Sequence, residues 1–160
     1  MDARPAEAAG PDGLLTWFND LPVIRWIGVE CVDVAVGRVR ALLHVRPEHR
    51  NPGGAVNGGV LLAAADVVAG AAVTSTGPPG TGAATTDLTM HFLAAAVEAP
   101  LRLEAEVLRR GRGNGVPHVR ISDADGRLCA VATGTWVVRE SGWSGTTTGC
   151  PPRTPPGAAP

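Results

Sequence analysis

The sequence contains no lysine: all 14 basic residues are arginine, and with 15 acidic residues they leave a net charge of −1. That balance removes the electrostatic case for nucleic-acid binding, which needs a basic face. Aromatic residues make up 4% of the chain, with only two phenylalanines, so little ring stacking is on offer to a ligand. Cysteine is scarce as well. Cys31, Cys129 and Cys150 are odd in number and lack metal-ligand spacing, so they read as reduced thiols of a cytoplasmic protein. His44, His91 and His118 are scattered over strand-like stretches, and no pair of histidines has metal spacing; neither a metal nor another cofactor is expected. The N-terminus lacks the apolar core of a signal peptide. No apolar run reaches the ~18–20 residues of a membrane span. What remains, 160 residues with 44% hydrophobic and 18% charged, fits one globular domain with a sizeable core.

The chain is organised around Asn51 to Val73. Four glycines (Gly53, Gly54, Gly58, Gly59) lead into Val60–Val73, fourteen residues that are apolar except for Asp66. Six alanines and the length of this run predict a helix rather than a strand. A helix apolar all round should be buried all round, and a carboxylate inside it is costly unless hydrogen-bonded or functional. Burial of that kind is expected to raise its pKa toward that of a useful base. Gly58 and Gly59 stand at the helix start, where backbone N–H groups lack intrahelical partners and suit an anion or an oxyanion. Asp66 follows Gly58 by eight residues, ~12 Å along the axis at ~1.5 Å per residue, too far to act on a carbonyl held at its own helix start. Small residues one turn away, Ala63, Ala69 and Gly70 among them, would let a second copy of the helix lie antiparallel alongside. The spacing therefore predicts a two-fold dimer with paired composite sites.

Around this helix the chain reads in order. Residues 1–11 form a flexible leader, and Asp12 caps a short helix over 13–19 that Pro22 interrupts. From Gly28 the period becomes two. Val29, Cys31 and Asp33 share a face of a first strand, and a second runs from Arg38 to Arg46. After the glycine-rich loop at 76–82, Ala84–Leu93 alternates with Thr86, Leu88, Met90 and Phe92 on one face and Thr85, Asp87, Thr89 and His91 on the other. Leu101–Arg110, Val116–Ser122 and Leu128–Val138 complete the strands, the last two joined by the turn signal Asp123-Ala124-Asp125-Gly126. Residues 141–160, rich in Gly, Thr, Ser and Pro, read as a disordered tail, leaving 12–140 as the domain. Six strands covering one long helix is an α+β architecture.

This order, with His49-Arg50-Asn51-x-x-Gly54-x-x-Asn57-Gly58-Gly59-(x)6-Asp66, resembles the hotdog-fold acyl-CoA thioesterases of the phenylacetate-pathway (PaaI-like) family. The resemblance runs from about Leu14 to Arg139. It includes Thr85-Thr86-Asp87-Leu88, the Arg110-Gly111-Arg112 turn and the Asp125-Gly126-Arg127 hairpin. It implies an antiparallel six-stranded sheet wrapped round the helix and hydrolysis of an acyl-CoA or acyl-carrier thioester by a dimer or a dimer of dimers. Asp66 would be general base or nucleophile, and the Gly58 N–H would polarise the thioester carbonyl. Asn51 would sit near the acyl group or water, and Thr85 would supply a hydroxyl that positions the water. The chain departs from the family at Asn57, where histidine is usual, so no step can rely on an imidazole there.

Each of these residues also has a plainer reading. Asp66 would merely fix helix pairing, and Gly58 and Gly59 would allow close packing. Asn51 would form an Asx turn before Pro52. Asn57 would be a helix cap, Thr85 an ordinary strand residue, and His49 a structural neighbour of the loop. Arg110 and Arg112 would be solvated, or would meet the phosphates of CoA, which arginine binds well. The alternative to a hydrolase is a catalytically silent hotdog protein that binds acyl groups. A hydratase is disfavoured, because Asp66 has no histidine on its helix.

Overall fold

The computed structural model describes residues 10–139. The tail expected over 141–160 lies outside the described residues, as does nearly all of the leader. Two short helices, α1 (Gly10–Asp20) and α2 (Pro22–Ile27), open the fold. Asp12 falls within α1 rather than at its cap. The first helix ends at Asp20, just before Pro22, and Pro22 opens α2, because proline is tolerated where the first-turn N–H would be unpaired anyway. Gly28, at φ 85°, ends α2 in the left-handed region and turns the chain into the sheet.

The strands are β1 (Val29–Ala35), β2 (Arg38–Leu43), β3 (Gly82–Phe92), β4 (Leu101–Arg110), β5 (Asn114–Ser122) and β6 (Leu128–Arg139). They form one antiparallel sheet in the order β1-β2-β4-β5-β6-β3. The long helix α3 (Gly58–Thr74) lies against all six. This is the hotdog architecture. Alternation delivers Val39, Ala41 and Leu43, then Leu101 and Leu103, then Val119 and Ile121, onto the face that meets Ala64, Ala65 and Val68 of α3. Alanine on this side of the helix brings the sheet close. No helix among the described residues is long and apolar enough to cross a membrane.

Three expectations fail for identifiable reasons. A β-bulge between Cys31 and Asp33 breaks the alternation, so Val34 rather than Asp33 joins Val29 and Cys31 in the core. Strand β2 ends at Leu43, short of Arg46, as the chain turns toward the 3₁₀ turn Pro47–His49. The helix α3 is not buried on every side. Leu62 is 38% exposed, and Ala63, Asp66, Val67 and Gly70 are half-buried, leaving one stripe of the helix uncovered by the chain's own sheet.

The β5–β6 hairpin is pinned by a buried acid. Asp123 accepts from the Arg127 backbone N–H at 2.9 Å and from Arg127 Nε at 3.0 Å. Burial alone would raise the pKa of Asp123. The hydrogen bonds and charge of Arg127 outweigh it and hold the carboxyl below its usual range. The same guanidinium donates to Ala95 O at 2.7 Å, tying the hairpin to the segment after β3.

Candidate active site

The loop before α3 is built by its own polar groups. Asn51 makes the Asx turn, its Oδ1 accepting from the Gly53 N–H at 2.9 Å. Arg50 donates to Gly54 O at 2.6 Å and to Val97 O at 3.3 Å, clamping the loop across to the segment after β3. The Asn57 N–H reaches His49 O at 2.8 Å, and Asn57 Oδ1 accepts from the Gly59 N–H at 2.8 Å, capping α3. The two glycines thus differ. The Gly59 donor is taken by Asn57, whereas the Gly58 N–H finds no acceptor among the described residues. Only glycine fits position 58 without displacing a neighbour, because an added Cβ would stand 3.0 Å from the ring of Phe92.

His49 is 5% exposed, and its Nδ1 accepts from the Arg46 N–H at 3.2 Å. Burial first, and then the charge of Arg46, lower its pKa. The folded state therefore prefers the neutral ring. Its contribution to stability is complete above the unfolded-state pKa of ~6.5 and is lost as pH falls through the lower folded value. Thermal melts between pH 8 and 5 should show this loss in the wild type. It should shrink in His49→Asn, which keeps an acceptor near the Nδ1 position but does not titrate.

Asp66 projects from the middle of α3 and is half-buried, not enclosed as the apolar run suggested. Its Oδ1 accepts from Thr85 Oγ1 at 2.6 Å. Its Oδ2 has no partner, and no cation pairs with it, among the described residues. Simple alternation puts Thr85 on the face opposite Leu88, Met90 and Phe92. The bulge between Thr85 and Asp87 reverses that and turns the hydroxyl toward the helix. Beside the pair lies a cavity of about 310 Å³, lined by Asp66, Gly70, Thr85 and Trp136 and roofed by Trp17, Phe18 and Ile24 of α1 and α2.

The sequence-predicted residues fall into three groups. Asp66 and Thr85 are in contact. His49, Asn51, Asn57, Gly58 and Gly59 gather at the start of α3, about 12 Å away along the helix axis. Arg110 and Arg112 lie at the other end of the helix: Arg110 donates from Nε to Thr76 Oγ1 at 3.0 Å and also bonds Gly111 O, while Arg112 is exposed. The loop clamp Arg50 and the cavity residue Trp136 were not singled out from the sequence. The inward parity of Trp136 on an alternating strand was the available signal.

An acid hydrogen-bonded to a hydroxyl beside an apolar cavity, with an unpaired helix-start N–H elsewhere in the fold, is a set of parts suited to acyl transfer. Residues 53–130 match the sequence model of the thioesterase superfamily. A Saccharolobus solfataricus protein provisionally named an esterase is 30% identical over 116 residues, 72% of this chain and 77% of that one. Among solved structures, the Escherichia coli PaaI protein from the phenylacetic acid degradation operon superposes with a TM-score of 0.69 at 21% identity, covering 76% of this chain and 87% of its own. A hypothetical thioesterase of Streptococcus pneumoniae, solved with coenzyme A, gives 0.66 at 26% identity, covering 72% and 88%. The chain belongs to the thioesterase superfamily and is a hotdog-fold thioester hydrolase.

Proposed function

We propose that the substrate is an acyl-CoA or acyl-carrier thioester, and that Asp66 is the group that activates water or attacks the carbonyl. The contact between Thr85 Oγ1 and Asp66 Oδ1 carries this reading. One oxygen is fixed by a donor, and the other has no partner among the described residues and stands next to a largely apolar cavity of about 310 Å³. The oxyanion donor would be the Gly58 N–H of a second copy, since the chain's own lies ~12 Å away. Two features support a dimer. The half-covered stripe around Asp66 is made of small and apolar residues, and among the described residues β3 is an edge strand paired only with β6. Asn57 serves as the helix cap, a task that needs no imidazole. Coenzyme A is favoured as the thiol by the pneumococcal neighbour solved with it. Arg112, exposed and unpaired among the described residues, is better placed than the engaged Arg110 to meet a phosphate. Cys31 and Cys129, both free and buried, fit a cytoplasmic setting.

The test is a panel of acyl-CoA and acyl-carrier thioesters assayed by release of free thiol. Turnover of at least one member is expected. Thr85→Val removes the donor to Asp66 with little change in volume, and kcat should fall by roughly 10-fold, the size of one lost charge-assisted hydrogen bond. Binding without turnover across the whole panel would overturn the reading in favour of a silent acyl-binding protein.

A further inference from the structure

Asp66, Gly70 and Thr74 line the same cavity and recur at every fourth position, so the cavity follows one stripe of α3. Each step along that stripe is ~6 Å. One step beyond Asp66, the stripe meets Trp136 of β6. A Cβ added at Gly70 would stand 3.4 Å from Trp136 Nε1, so the indole nitrogen faces the gap that the missing side chain leaves. Trp136 is 1% exposed, no described residue accepts from its indole N–H, and that nitrogen is not among the enclosed unpaired atoms, so it opens onto the cavity. An indole nitrogen only donates, so a group that fills the cavity beside it and pairs with it must present an acceptor.

We propose that the cavity admits an acyl group bearing a carbonyl, ether or hydroxyl oxygen about one helical turn from the thioester carbon, and that Trp136 Nε1–H selects it. The assignment rests on Asp66 being the reacting carboxylate. It goes further by setting the chemistry of the acyl group. The apolar roof from α1 and α2 accepts the hydrocarbon, and the indole supplies the one directional contact at its far wall. The Thr74 hydroxyl, one turn deeper, both donates and accepts, so it does not impose the same choice.

Two substrates of equal length separate the contributions: 5-oxohexanoyl-CoA, whose ketone lies about one helical turn along an extended chain, and hexanoyl-CoA. Wild type should favour the oxo substrate in kcat/KM by at least ~5-fold, the size of one net neutral hydrogen bond. Trp136→Phe should bring the ratio to about 1, with the greater loss falling on the oxo substrate. Gly70→Ala keeps the indole but places a methyl against its nitrogen, and should collapse the ratio even if Trp136→Phe does not fold. A wild-type ratio near 1, or equal slowing of both substrates by either variant, would overturn the proposal while leaving the hydrolase reading intact. Should wild type hydrolyse no thioester, the hydrolase reading fails and binding decides separately. The ¹⁵N–¹H indole resonance of Trp136 should then shift with S-(5-oxohexyl)-CoA and not with S-hexyl-CoA; no shift, or equal shifts, would overturn it.

Discussion

Asp66→Asn should lower thioester hydrolysis by ~10²-fold or more, the lower range for a positioned acid–base group. The substitution keeps the shape and still lets the side-chain oxygen accept from Thr85 Oγ1, so the hydrogen bond seen at 2.6 Å has a successor. It removes the basic and nucleophilic oxygen. An unreactive S-alkyl-CoA should therefore bind with a Kd close to that of wild type in calorimetry, because the cavity and the helix-start donor are untouched. Separation of turnover from binding is what distinguishes a chemical role for Asp66 from a packing role. A folded Asp66→Asn protein that hydrolysed its best substrate at the wild-type rate would refute the assignment.

The second large effect concerns where the two halves of the site come from. Gly58→Pro deletes the first N–H of α3, which has no acceptor among the described residues, at a position where proline suits the helix. The ring of Phe92 beside it is 56% exposed and free to move aside. Each variant alone should be nearly inactive. A purified heterodimer of one Asp66→Asn chain and one Gly58→Pro chain should regain about half the wild-type rate per dimer. One of its two composite sites would combine an intact acid with an intact loop. Two differently tagged chains, co-expressed and isolated by both tags, make the measurement. Heterodimers as inactive as their parents would place the acid and the donor in the same chain and end the composite-site model.

The sequence showed the large elements because their signals are local and strong. Fourteen nearly uninterrupted apolar residues predict α3, and alternation with polar turns predicts the strands. The residues of the loop were legible as well, since Asn51 and Asn57 are side chains whose local hydrogen bonds follow from their chemistry. What alternation could not reveal was where it fails. A bulge adds one residue to a strand and moves every later side chain to the other face, and nothing in Thr85-Thr86-Asp87 announces it. The same effect misplaced Asp33. The exposure of Asp66 was hidden for another reason: a hydrophobic stripe looks the same in sequence whether it meets the chain's own sheet or is left uncovered. Trp136 was passed over because its place beside Gly70 depends on two elements far apart in the chain.

The strand order also fixes the sequence in which the protein becomes functional during synthesis. Strand β3 carries Thr85, yet among the described residues it pairs only with β6, the last of the described strands to be made. Strand β2 has β1 beside it, but its other edge waits for β4, whose paired residues lie about sixty positions later. While these partners are still being translated, α3 and both waiting strands present apolar surface and unpaired backbone to the cell. A ribosome that stops within β5 has already encoded Asp66, Thr85, the capped helix and most of the core. It has not encoded the strand that holds β3 in register, so the hydroxyl and the acid are both present without being brought together. Completion of β6 is thus the step that fixes β3 in register and brings the Thr85 hydroxyl against Asp66.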